Sequence, residues 1–164
     1  MGARYKPFST QNVVFTVERL IALGHTAYDD WLVRLGYSSD AGADLHPALP
    51  GWRTWQFYTE SAYFMKQGRL IQPFEARYGH SWRLDALDSQ LVVFPHIAIA
   101  CNFDSRATQR LALGIGPGVG LRYWFRSGAD SAPASWADLN VQYRLPLTSA
   151  ARAKGLVVRL TLCF

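Results

Sequence analysis

No stretch of this 164-residue chain approaches the roughly 18 consecutive apolar residues of a membrane helix, so a helical membrane protein is excluded. Cysteine is scarce. Cys101 and Cys163 sit on segments whose phases point one outward and the other inward, and neither spacing nor neighbours suit a metal, so no bridge and no metal site are expected. Bases exceed acids by five charges, yet they are dispersed and no recognition motif accompanies them, so no nucleic-acid partner is expected. The N-terminus, MGARYKPFSTQNVVFTVERLIALGHTA, carries early basic residues, but Glu18 and Arg19 interrupt what would be the apolar part of a signal peptide. Any exported reading therefore expects this chain to be the end of a longer protein.

A nucleotide loop is also missing, although LALGIGPGVGLRYWFR (111–126) places glycines at 114, 116, 118 and 120. A dinucleotide fingerprint needs a further glycine where Val119 or Leu121 stands, and no Gly-Lys-Ser/Thr follows. The period is instead two. Leu111, Leu113, Ile115, Pro117, Val119, Leu121, Tyr123 and Phe125 alternate with small or charged residues ending in Arg122, Trp124 and Arg126. Such a pattern predicts a β-strand with one apolar face and one tiny or charged face.

Eight segments of this kind are predicted, at about 12–22, 30–38, 54–65, 70–84, 91–103, 111–126, 135–147 and 155–164, separated by Gly, Asp, Ser and Pro clusters. Lys66 to Arg69 reads as a hairpin turn. Pro95 and Pro117 fall inside strands, where each removes a ladder donor, so local breaks are expected there. The longest connection, 39–53, falls on the same side as the C-terminus. With 49% hydrophobic and 14% aromatic residues, the chain suits a single all-β domain over 1–164. The expected fold is an antiparallel outer-membrane-type β-barrel of about eight strands, or part of a larger barrel.

On that reading the polar phase lines an interior. The candidates are Arg34, Glu60, Glu75, Arg77, Arg83, Arg122, Trp124, Arg126, Trp136, Asp138, Arg144 and Arg159, with Glu18 beside them. Arginines outnumber carboxylates, so a narrow interior would hold Arg–carboxylate pairs and a wide one a positive, hydrated lumen. Trp31, Trp52, Trp55 and Trp82 are expected as lipid-interface anchors; Trp124 and Trp136, on polar faces, suit either anchoring or stacking on sugars. The terminal stretch LVVRLTLCF keeps Leu156, Val158, Leu160, Leu162 and Phe164 on one phase, resembling the C-terminal insertion signal of outer-membrane barrels. Two alternatives stay open. One is a soluble lipocalin-like barrel binding an apolar ligand inside, with the odd face of 111–126 turned inward. The other is a small barrel enzyme using His96, for which no serine or acid lies at a telling spacing. His25, His46 and His80 read as structural, and Glu60, Glu75 and Asp138 as partners of arginines rather than a glycosidase pair. No catalytic residue and no cofactor are expected.

The stretches RYKPFS (4–9), DDWLVR (29–34), GIGPGVGLRYWF (114–125), SWADLNVQYR (135–144) and RAKGLVVRLTL (152–162) resemble the C-terminal domain of the NfrA family, the bacteriophage adsorption protein A of bacterial outer membranes. The resemblance implies a bacterial outer-membrane barrel preceded, in the full protein, by periplasmic helical repeats. It implies a non-enzymatic phage receptor in contact with the lipid bilayer and a phage tail or adsorption protein. It also implies a link to export of a surface polysaccharide made by an inner-membrane glycosyltransferase system. Connections near 23–29, 66–69, 104–109 and 147–154 are the expected contact points.

Overall fold

The computed structural model describes residues 1–23, 28–45, 48–126 and 135–163. Nine strands follow one another: β1 (Gly2–Tyr5), β2 (Asn12–Leu20), β3 (Asp30–Ala41), β4 (Gly51–Phe64), β5 (Arg69–Arg83), β6 (Leu91–Asp104), β7 (Leu111–Arg126), β8 (Ser135–Pro146) and β9 (Gly155–Cys163). Each pairs antiparallel with its sequence neighbour in a single sheet of order β1 to β9. The all-β antiparallel class is thus as expected. The count is nine rather than eight, and among the described residues β1 and β9 are not paired with each other.

β1 is the strand the sequence concealed. Its four residues, Gly-Ala-Arg-Tyr, carry no alternation and are all exposed; they are held by pairing Gly2 to Glu18 through Tyr5 to Phe15. The third predicted segment begins at Gly51, and β3 runs on to Ala41, so the long connection shrinks to 42–50. The turn predicted at Lys66 is found, with Gly68 at φ 57°, a left-handed conformation that favours glycine. Pro95 and Pro117 each interrupt one ladder, and so does Pro73, which the sequence reading passed over and where β4 and β5 go from Thr59–Phe74 to Ala62–Ile71. β5 and β6 pair at Gly79–His96 and resume at Trp82–Val93, skipping Pro95, while β7 and β8 skip from Ile115–Leu145 to Gly118–Gln142, passing over Pro117. The register is unchanged across all three gaps.

The sheet is curled, because side chains of strands far apart in its order touch on one face. Glu75 of β5 bonds Arg144 of β8 and Arg159 of β9, and Arg122 of β7 bonds the backbone after β3. That face is enclosed. It buries Thr54, Ser81, His96, Asn140 and Gln142 together with alanines and two tryptophans. The opposite face exposes Leu35, Tyr63, Ile97, Val119, Leu121, Leu139 and Val158. Alternation with the apolar set outside and the polar set inside is the reverse of a soluble β-barrel, whose apolar set fills the core. The odd face of β7 thus points out, against the expectation of an apolar ligand inside.

Candidate functional site

The enclosed face divides along its length into three zones, each fixed by the period of two. At the centre Glu75 receives three guanidinium groups. Arg77 donates from Nε at 2.6 Å, Arg144 from Nη2 at 2.6 Å, and Arg159 from Nη2 and Nη1 at 3.3 and 3.4 Å. Gln142, its amide oxygen turned to Arg144, accepts from Nη2 and Nε at 2.5 and 3.0 Å. The Arg77 and Glu75 side chains are 10% and 12% exposed, whereas Arg159 is 49% exposed. Glu75 is the ion-pair partner of all three arginines, which leaves the cluster with an excess of two positive charges.

Beside this cluster His96 is buried, stacked on Phe94 at 4.7 Å, with its Nδ1 bonded to the Phe94 carbonyl at 2.9 Å. Its Nε2 meets no polar partner among the described residues. The ring fits because residue 118 is glycine: a Cβ there would lie 2.5 Å from His96 Nε2. The glycine phase of β7 therefore serves close packing. Near the other rim a Cβ at Gly114 would collide with the Ala153 carbonyl, where a 3-10 turn (Ala151–Ala153) tucks Ala150 and Ala153 against Ala112.

The zone near the C-terminal end of β9 is aromatic. Trp124 and Trp136 meet edge to face at 6.4 Å, and the Arg122 guanidinium lies 4.3 Å from the Trp136 ring and 5.7 Å from Trp124. Arg122 also pairs with Asp138 at 3.1 Å and donates to the Ala43 carbonyl at 2.7 Å. Trp52 donates to the Gly42 carbonyl at 2.7 Å, and Leu45 packs on Trp52, Val92 and Trp124. The connection after β3 is thereby drawn across this rim from the inside. Trp52 is no lipid anchor: it belongs to this inner cluster, because its even position in β4 shares the phase of Thr54 and Gln56. Trp31, Trp55 and Trp82 do face outward, at 44%, 41% and 43% exposure.

A fourth group, Arg34 with Glu18 at 2.5 Å and Glu60 at 3.8 Å, borders a cavity of about 610 Å³ between β1 and β4. Arg83 pairs with Asp85 where β5 ends, and Arg126 is the last residue of β7. Leu156, Val158, Leu160 and Leu162 share the exposed face of β9; Phe164, His25 and His46 lie outside the described residues. Both cysteines are free. His80 is on the outer face, its ring tilted against Trp82 at 4.5 Å. Sequence reasoning missed the capture of Ala43 by Arg122 and the inward loop after β8, since a carbonyl carries no sequence signal.

Among known proteins, the family model described as Bacteriophage N adsorption protein A C-term (NfrA_C) matches residues 1–160. No curated protein and no solved structure matches the chain.

Proposed function

The chain belongs to the NfrA_C family, the C-terminal domains of bacteriophage N adsorption protein A, and from that membership we propose that it is the bilayer-embedded barrel, or part of the barrel, of a phage receptor in the bacterial outer membrane. Its role is non-enzymatic: it presents rim connections to a phage tail or adsorption protein and gives a surface polysaccharide a polar path. An inner-membrane glycosyltransferase system would supply that polysaccharide.

The observation that carries the membrane part is the inverted distribution of polarity. Leu156, Val158, Leu160 and Leu162 are between 53% and 67% exposed on one face of β9, while Asn140 and Gln142 are buried on the opposite phase of β8. Exposed apolar side chains in water forgo about 1.5 to 3 kcal/mol each that burial would return, whereas in lipid they are already solvated. Strands of 12 to 16 residues in β3 to β8 exceed the about 9 to 11 needed to cross the hydrocarbon, so their ends reach past the bilayer. If the C-terminal end of β9 faces the periplasm, the connections at 21–29, 65–68, 105–110 and 147–154 share the outer rim and meet the phage.

A non-enzymatic role is supported by the surroundings of His96. Phe94 stacks on its ring, and a Cβ at residue 118 would lie 2.5 Å from Nε2, so the imidazole is packed against its own sheet.

Membrane fractionation of cells producing the full-length protein, joined to a phage-adsorption assay, tests this reading. The protein is expected in the outer-membrane fraction, and replacing 105–110 by a short glycine turn should lower adsorption without changing its abundance. Recovery in the soluble periplasm overturns the membrane reading; unaltered adsorption by every rim variant overturns the receptor reading.

A further inference from the structure

From the charge excess around Glu75 we infer that Arg159, Arg144 and Arg77 form a binding site for a carboxylate-bearing saccharide, an acidic rather than a neutral glycan. The inference deepens the polysaccharide-path reading above and rests on it.

Three guanidinium groups converge on one carboxylate, and their commitments to it are unequal. Arg77 and Arg144 bind Glu75 at 2.6 Å, while both Arg159 contacts are at 3.3 Å or longer on a half-exposed side chain. Arg159 therefore has donors to offer a second anion without first breaking a short bond. A guanidinium fork matches a carboxylate in two parallel bonds, and neutralising a local positive excess strengthens the match.

The space around Arg159 has the complementary chemistry. Two cavities, about 120 and 170 Å³, adjoin it, and both also border Tyr58 and Glu75. Gln56 lines the first beside Phe57, and Asn102 and Arg152 line the second beside Phe74 and three alanines, so polar groups sit against apolar walls in both. Amides and a phenol beside an arginine suit a ligand that bears hydroxyl groups around an acid. Tyr58 already donates to Glu60 and Gln56 accepts from Arg77, so hydroxyl groups would add to these bonds where an apolar acid would add none.

The test uses the 164-residue chain folded in detergent micelles, titrated calorimetrically with trigalacturonate, with neutral maltotriose and with inorganic phosphate at equal ionic strength. Trigalacturonate is expected to bind, and Arg159→Gln to weaken it about tenfold, the loss of one charge-assisted bond. Glu75→Gln is expected to tighten binding, because it removes the competing carboxylate; a purely structural role for the cluster predicts the reverse. Equal binding of maltotriose would overturn the acidic class, and an equal response to phosphate would reduce the site to one for small anions. No trigalacturonate binding, in a chain whose parent protein still fractionates with the outer membrane, would overturn this inference alone. Failure to fractionate there would instead strike the proposed function.

Discussion

Glu75 and Arg144 are joined by a 2.6 Å bond although β6 and β7 lie between their strands in the sheet. A flat sheet cannot bring β5 and β8 together in this way. The bond measures the curl of the sheet and shows which face is inside.

Removing the acid from this contact should be costly. Glu75→Ala leaves three arginines facing one another in a part-buried cluster, and about 3 kcal/mol of stability should be lost, in the range for breaking one side of a buried ion pair. Chemical unfolding of the variant in micelles measures it. A loss below about 1 kcal/mol, the range of exposed pairs, would mean that solvent already screens the cluster.

A methyl group at residue 118 should act through His96. Gly118→Ala places a Cβ 2.5 Å from His96 Nε2 and 2.9 Å from the Gln142 Cβ, an overpacking that costs about 1 to 3 kcal/mol. In a double-mutant cycle with His96→Ala the penalty should shrink, because the truncated side chain makes room. Strict additivity would show that the two positions do not touch.

Both of these positions bear on what the sequence could disclose. The alternation located eight of the nine strands and separated the two faces, since a period of two survives in any curled sheet. It could not find β1, whose four exposed residues carry no pattern, or the position of Trp52. Which arginine meets which acid was equally hidden. Sequence separation between Glu75 and Arg159 is 84 residues, and only the curl brings them together. The glycines of 111–126 were legible as a strand face but not as a packing surface, because what packs on them comes from elsewhere in the chain: the loop beyond β8 at Gly114 and the His96 ring of β6 at Gly118.

The outer face should respond to charge by depth. Leu160→Arg, mid-strand and 67% exposed, should cost about 2 to 4 kcal/mol for the chain folded in bilayers, whereas Leu156→Arg near the strand's end should cost about 1 or less. Reversible denaturation from lipid vesicles gives both values. Equal, near-zero effects would place this face in water.

At the rim where the 65–68 and 105–110 connections lie, Arg69 binds Asp104 at 2.6 Å and the Arg106 amide donates to the same carboxylate. The Arg69 bond, aided by that amide, holds the Asp104 carboxyl down to about 2. A depressed carboxyl contributes stability that is fully present above the ordinary carboxylate range and is lost as pH falls through the folded value. The Asp104 carboxyl carbon, followed by NMR, should therefore titrate with a midpoint near 2. A midpoint close to the unperturbed 3.8 would mean the pair is open in solution.

The strict neighbour-to-neighbour order of the strands also sets a sequence of assembly. Each hairpin can close from contacts local in the chain, which keeps loop-closure entropy small at every step. The Glu75 cluster is different, because Arg144 and Arg159 reach it only once β8 and β9 are in place, 69 and 84 residues further on. Until then Glu75 has Arg77 alone among its three arginines. Arg144 comes with β8 and Arg159 with β9, so the cations that complete the cluster belong to the last two strands of the chain, and the contacts that fix the curl are the least local ones in the sheet.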